Sequence, residues 1–297
     1  MSRLIDLLNQ EDWSNLRDAY GPATEIPALL SSITADDIAL RDHAYEELGS
    51  RLVHQGVSRF EASAHAAPFL IEWLADPRCT DTVGVLGLLT GIAIGDMDEW
   101  LSGSLPDQCL QVTRESAMMT AEPDDQFFRD ARSWALESYD AVRRGVPEYL
   151  RLLEWGDART RMWAAYLLGW FPEYRDVITP ALFTRRQTET NEFIVATICI
   201  SAGLLATPGV TIEHLAEVLR FGTRRERYGS AIGLALMQPD IDREVLNELA
   251  ACVTRGEDTG DDTPYGLYAF AGSLVYERDG GWAAHPTRHR SPGLQIR

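Results

Sequence analysis

The sequence predicts an all-α fold, a right-handed solenoid of about five to seven stacked helical pairs. Two recurring patterns and the composition carry that reading. The first pattern is the phrase Arg-x-x-Ala-x-x-x-Leu-Gly. It runs from Arg41 through Ala44 and Leu48 to Gly49, and again from Arg161 through Ala164 and Leu168 to Gly169. Looser echoes are Arg132/Ala135/Tyr139 and Arg227/Ser230/Leu234. On a helix of 3.6 residues per turn, the Ala and Leu of this phrase share one face and point into a common seam. The small Ala admits a neighbouring helix at close range, Leu fills the space beside it, and Gly is placed to end the helix in a left-handed conformation.

The second pattern is a proline at the head of an apolar stretch. Pro27, Pro68, Pro106, Pro147 and Pro180 follow one another at intervals of 41, 38, 41 and 33 residues. Proline suits the first turn of a helix, where its missing N–H leaves no bond unmade. Each unit therefore reads as a proline-started helix, a short turn and a second helix. At 297 residues and 45% hydrophobic, the chain has enough apolar surface for a large core. A stack in which each unit packs only on its neighbours escapes the usual limit on domain size.

In chain order, residues 1–22 read as an N-terminal cap made of a short helix pair, with Trp13 and Tyr20 packing over its end. Residues 23–254 hold the repeats. Within them, residues 35–54 form one strong helix started by the cap signals Thr34 and Asp37. Residues 96–128 form an irregular acidic insertion, after which the best-kept repeats occupy 129–254. Residues 255–264 are an acidic linker, 265–278 a possible capping helix, and Gly280 onward a frayed tail rich in Gly, Pro, His and Arg. The N-terminus has no signal-peptide core, and apolar runs such as 83–94 are too short to span a bilayer. Cys79, Cys109, Cys199 and Cys252 lie far apart without CxxC spacing, which suits reduced thiols in a cytoplasm.

The Arg-x-x-Ala-x-x-x-Leu-Gly phrase and its proline partner resemble HEAT and HEAT-like repeats, in particular the short class named after phycobilisome lyases. The resemblance covers most of residues 23–254. A narrower segment, His54-Gln55-Gly56 with Phe60-Glu61-Ala62 and Pro68-Phe69-Leu70, is similar to uncharacterised HEAT-repeat proteins of actinobacteria and related bacteria. Those relatives often carry Trp before the His and Thr after the Gly, where this chain has Val53 and Val57. The resemblance implies a fold and no shared activity.

Candidate chemistry is sparse. His54, Gln55 and Arg59 form one possible binding segment, with Gln55 and Arg59 suited to a ligand carboxylate and His54 to a helix end. His43, His54 and His65 recur every eleven residues, but Gly56 interrupts the helix that would align them. Asp96, Asp98 and Glu99 gather three carboxylates beside Trp100 without the calcium loop that such residues would need. Arg159 and Trp163 suggest an aromatic–Arg groove, and Arg159/Arg161, Arg185/Arg186 and Arg224/Arg225/Arg227 suggest a ridge. No Ser/His/Asp signature, glycine-rich phosphate loop or HExxH motif is present, so neither a catalytic residue nor a cofactor or metal is expected.

Charge points to the partner. The net charge is −18, and all 27 cations are Arg. Nucleic-acid binding relies on cations that displace counterions from phosphates, and a chain this acidic starts with repulsion. The expected function is a non-catalytic protein–protein interaction module, of adaptor or toxin-immunity type, that offers a curved acidic surface to a basic protein. The alternative is an enzyme on the same scaffold, bilin-lyase-like or similar to the HEAT-like alkylpurine DNA glycosylases.

Overall fold

Short polar side chains decide where the helices of this chain begin. Asp37, Asp81, Asp157 and Asn191 each stand one residue ahead of a helix and accept hydrogen bonds from its first free backbone N–H groups. A computed structural model describes residues 2–55, 58–95, 126–207, 209–237, 242–255 and 264. Among these residues the chain is all-α, with thirteen α-helices and two ladders of two-residue strands. No helix among them is long and apolar enough to cross a membrane. Of the insertion expected at 96–128, residues 96–125 lie outside the described residues, as do the helix at 265–278 and the tail, while residues 126–128 are already helical at the start of Gln126–Arg143.

The chain divides into two compact units, with the boundary among the described residues falling between Glu148 and Tyr149 in sequence. The first unit holds α1 (Ser2–Asn9), α2 (Ile26–Ser32), α3 (Ile38–Leu52), α4 (Glu61–Ala75), α5 (Thr82–Ile94) and α6 (Gln126–Arg143). Its ladders pair β1 (Arg17–Asp18) with β2 (Gly21–Pro22), and β3 (Val53–His54) with β4 (Ser58–Arg59), both antiparallel. Here α6 packs on α4 and α5, α3 packs on α2 and α5, and α1 lies on α4. The helix pair expected over residues 1–22 is instead α1 followed by the first hairpin, because Gly21 takes a φ of 137° and turns the chain back. Trp13 is buried and donates from its indole N–H to the Leu8 carbonyl, 2.9 Å away, while Tyr20 stays exposed.

The second unit continues α7 (Val146–Trp155), which begins in the first, and adds α8 (Ala158–Leu168), α9 (Arg175–Thr188), α10 (Glu192–Leu205), α11 (Val210–Phe221), α12 (Arg224–Met237) and α13 (Arg243–Arg255). Helix α10 lies between α8 and α12 and is buried over its whole length from Ile194 to Leu205. That burial explains its unbroken apolar character, since a helix enclosed on all sides has no polar face. Ser201 in α10 donates to the Ala165 carbonyl of α8, and Ser230 in α12 donates to the Leu215 carbonyl of α11. Each buried hydroxyl thereby finds a partner on a neighbouring helix.

The repeated phrase does what its spacing implies at Ala and Leu. Ala44, Leu48, Ala164 and Leu168 are all buried. Its arginines also correspond. Arg41 donates to the Ala35 carbonyl at 2.9 Å, Arg161 to Gly156 at 2.8 Å, and Arg227 to Gly222 at 3.2 Å. In each case the guanidinium closes the turn that precedes its own helix.

Other expectations are corrected. The helix expected over 35–54 spans Ile38–Leu52, because the Asp37 side chain caps it and the chain becomes extended at Val53. Pro27 and Pro147 do lie in the first turns of α2 and α7. Pro68 and Pro180 lie inside α4 and α9. The start of α4 is set earlier, where the Phe60 amide donates to the Ser63 hydroxyl at 2.9 Å. The start of α9 follows a 3-10 turn, Pro172–Tyr174, so Pro172 takes the opening role assigned to Pro180. Neither phrase glycine is a left-handed stop. Gly49 is inside α3, and Gly169 keeps a right-handed φ of −60°. A methyl group at Gly49 would have no neighbour within 4 Å, so Gly49→Ala should stabilise the protein by about 0.5–1 kcal/mol through helix propensity alone. Urea denaturation measures this, and an unchanged or lower midpoint would contradict the packing described.

Candidate functional site

The segment around His54 is built by the two hairpins of the first unit. The Ala19 amide donates to the Arg51 carbonyl at 3.1 Å and ties the first hairpin to the end of α3. Tyr20, at its tip, meets His54 edge-on with ring centroids 5.6 Å apart. The His54 Nδ1 lies 3.4 Å from the Ser50 carbonyl, at the end of α3. Beneath Tyr20, at 5.3 Å from its centroid, is the Arg51 guanidinium. Arg51 binds Asp18 at 3.0 Å and Glu47 at 3.4 Å and also contacts Glu25. Burial weakens its hold on the proton, but the Asp18 hydrogen bond and three carboxylate charges raise its pKa overall.

Gln55 is exposed in the turn and holds a left-handed φ of 55°, uncommon for a residue other than glycine. Arg59 does not share that surface. In β4 Ser58 faces out and Arg59 is buried, as the two-residue period of a strand requires of neighbours. The pairing of Gln55 with Arg59 as a carboxylate clamp is thus not formed. The three histidines are not gathered either: His43 is exposed on α3, and His65 pairs with Glu11 at 2.9 Å. Among the described residues no three His, Cys, Asp or Glu side chains are placed to hold a metal ion. Asp96, Asp98 and Glu99 lie outside the described residues.

Of the cysteines described, none is in a disulfide; Cys199 and Cys252 are buried and Cys79 is partly covered. Burial pushes the Cys79 and Cys199 thiols up to about 12, so neither forms a thiolate nucleophile near neutrality.

The second candidate lies in the turns of the second unit. Trp163 is half-buried and packs edge-on against Tyr166, 5.9 Å between centroids. Arg159 is exposed one turn away on α8. The ridge of arginines is largely spent inside the protein. Arg161 grips Glu189 with Nε at 2.8 Å and Nη2 at 3.2 Å, and Arg185 reaches the same carboxylate at 3.2 Å. Arg186 faces Glu217 at 3.8 Å, and Arg227 faces Glu248 at 3.2 Å. Arg225 pairs with Glu192 and stacks over Phe193, 4.3 Å from its centroid.

Two residues stand on the same turns that the sequence does not mark as exposed: Trp155, which reads as inter-helix packing, and Phe221, which carries no signal of its own. Trp155 and Phe221 are 74% and 81% exposed, the highest values among the large apolar side chains described. Each precedes a turn glycine and stands six residues ahead of a phrase arginine, Arg161 or Arg227. That aromatic–Gly pair is the signal that would have found them. Between the turn that precedes α10 and the one that precedes α12 is a shallow groove of about 410 Å³ lined by Thr190, Asn191, Glu192, Phe193 and Thr223.

Charge is unevenly spread. Residues 1–150 carry 26 Asp and Glu against 11 Arg, whereas residues 151–237 carry nine against ten. No protein-family model matches the chain, and no curated protein matches it.

Proposed function

We propose that this chain is a non-catalytic interaction module, an adaptor or immunity-type protein of the cytoplasm, that receives a basic protein on its acidic first 150 residues. We take its helical pairs as HEAT-like repeats forming a right-handed solenoid of about five to seven pairs. The recurrence of the turn-closing arginine at Arg41, Arg161 and Arg227 supports the repeat reading. The observation that carries the functional reading is the charge distribution: of the 18 excess carboxylates, 15 lie in residues 1–150. Opposite potentials of this kind steer encounter and suppress wrong partners.

The Tyr20 patch supplies a centre for such an interface. Tyr20 is 62% exposed over the Arg51 guanidinium, which also contacts the Glu25 and Glu47 carboxylates, and Tyr is among the residues that anchor interfaces. Pull-down from a native lysate should recover a basic protein. With that protein in hand, Glu25→Gln/Glu47→Gln should slow association about three- to tenfold, and added salt should slow it further while dissociation changes less. Recovery of an acidic protein, or association insensitive to both salt and the substitutions, would overturn the proposal.

A further inference from the structure

Trp155 and Phe221 occupy one structural position twice. Each ends the first helix of a pair and precedes the glycine whose carbonyl the phrase arginine holds. The intervening turn carries Glu189 there, turned inward onto Arg161. Helices α8, α10 and α12 pack side by side in that order, and the Arg161–Glu189 and Arg225–Glu192 pairs join the turns at their starts. Trp155 and Phe221 therefore lie on turns two helix spacings apart along one edge of the second unit, with the groove at Thr190–Phe193 and Thr223 between the second and third turns. Packed helices lie about 8–10 Å apart, which separates the rings by about 16–20 Å. An extended peptide covers that span in about five or six residues.

The sign of the edge follows from which charges remain available. Glu189 is held by Arg161 and Arg185, Glu192 by Arg225, and the Asp157 and Glu226 carboxylates accept the Thr160 and Thr223 amides. Arg159, the second residue of α8, and Arg220, next to Phe221 in sequence, are exposed and have no partner among the described residues. Glu154 is the exposed acid nearest Trp155. What the edge offers a visitor is thus two exposed aromatic side chains, each with an exposed Arg within four residues in sequence, and aromatic and Arg side chains are enriched at binding hot spots.

We propose that this edge receives an extended acidic peptide segment of a partner protein, with apolar side chains about five or six residues apart that settle on Trp155 and Phe221. Arg159 and Arg220 meet its carboxylates. Two uncommitted guanidiniums are too few for a phosphate backbone, whose binding grows with the number of charges neutralised. This edge belongs to the second unit and the acidic patch at Tyr20 to the first, and the two prefer partners of opposite charge.

Selection of a displayed library of random twelve-residue peptides on the full chain tests this. Enriched peptides should be net negative with spaced apolar residues. Their affinity should fall more than tenfold for Trp155→Ala/Phe221→Ala and for Arg159→Glu/Arg220→Glu, with the melting temperature unchanged. Glu25→Gln/Glu47→Gln should leave it unaltered. Enrichment of basic peptides, no enrichment, or affinity unchanged in both double variants would overturn the proposal. So would sedimentation showing a wild-type dimer that Trp155→Ala/Phe221→Ala dissociates, because the occupant would then be a second copy of the chain.

Discussion

Replacing Gly229 by valine is expected to cost about 3 kcal/mol or more and to disrupt the α10–α12 pair of the second unit. A Cβ at Gly229 would fall 2.5 Å from both the Ala196 Cα and its carbonyl oxygen. Those are backbone atoms, so no side-chain rotation relieves the collision; the helices must separate. Two further contacts lock the same pair. A Cβ at Gly203 would lie 2.5 Å from the Gly233 Cα, and one at Gly233 would lie 2.5 Å from the Cys199 carbonyl oxygen. Separating the helices exposes the apolar surface of α10, and each 100 Å² so exposed costs about 2.5 kcal/mol. Helix propensity acts the other way, but glycine costs only about 1 kcal/mol relative to alanine in a helix interior. Packing therefore wins at Gly229, whereas propensity wins at Gly49. Denaturation midpoints of Gly229→Val and Gly49→Ala should move in opposite directions. A Gly229→Val protein as stable as wild type would mean that α10 and α12 are not in backbone contact.

That opposition marks the limit of what the sequence discloses. Gly49 and Gly169 hold the same place in the same phrase, yet one has open space around it and the other would press a Cβ to within 2.8 Å of Ser201. The seam positions were legible because the helical period alone places Ala44, Leu48, Ala164 and Leu168 on the inner face. Periodicity is a property of one helix. Whether a neighbour arrives at a given glycine depends on the other helix, and no local pattern reports it. Pro68 and Pro180 failed for a related reason, whereas Pro27 and Pro147 open their helices as expected. Pro172 and the Ser63 hydroxyl start α9 and α4 further upstream, and burial of Phe69, Leu70 and Trp73 outweighs the hydrogen bond lost at Pro68.

The candidate site was less legible still. His54 was placed at a helix end, as it is, but Tyr20 reaches it from more than thirty residues away through the first hairpin. Arg59 reads as a surface cation until the two-residue register of β4 turns it inward. Trp155 reads as one more core aromatic among Tyr149, Trp163, Tyr166 and Trp170; it is exposed because it sits at the last residue of α7. Residue type predicts burial on average, and position within the turn decides it here.

Arg161→Ala should produce the second large effect, a loss of about 2–4 kcal/mol near neutral pH. The Glu189 side chain is only 2% exposed, and Arg161 is its two-pronged partner. Removing the guanidinium leaves a covered carboxylate with Arg185 and the Thr190 and Asn191 amides, and it also leaves the Gly156 carbonyl without its donor. Burial alone would raise the Glu189 pKa; the Arg161 hydrogen bond, the Asn191 amide and the two guanidinium charges outweigh it and hold the carboxyl below its ordinary 4.5. A depressed carboxyl contributes stability that is fully present above its unfolded pKa and is lost as pH falls through the folded value. Wild type should therefore lose this contribution from about pH 4.5 downward. In Arg161→Ala the principal lowering influence is gone while burial stays, so protonation of Glu189 relieves the variant rather than harming it. The stability gap between the two proteins should be widest near pH 7 and narrow below pH 4.5. Glu189→Gln added to Arg161→Ala should recover part of the loss by removing the stranded charge. Urea denaturation across that pH range decides it: a gap that stays constant would show that Arg161 supports the turn by packing alone.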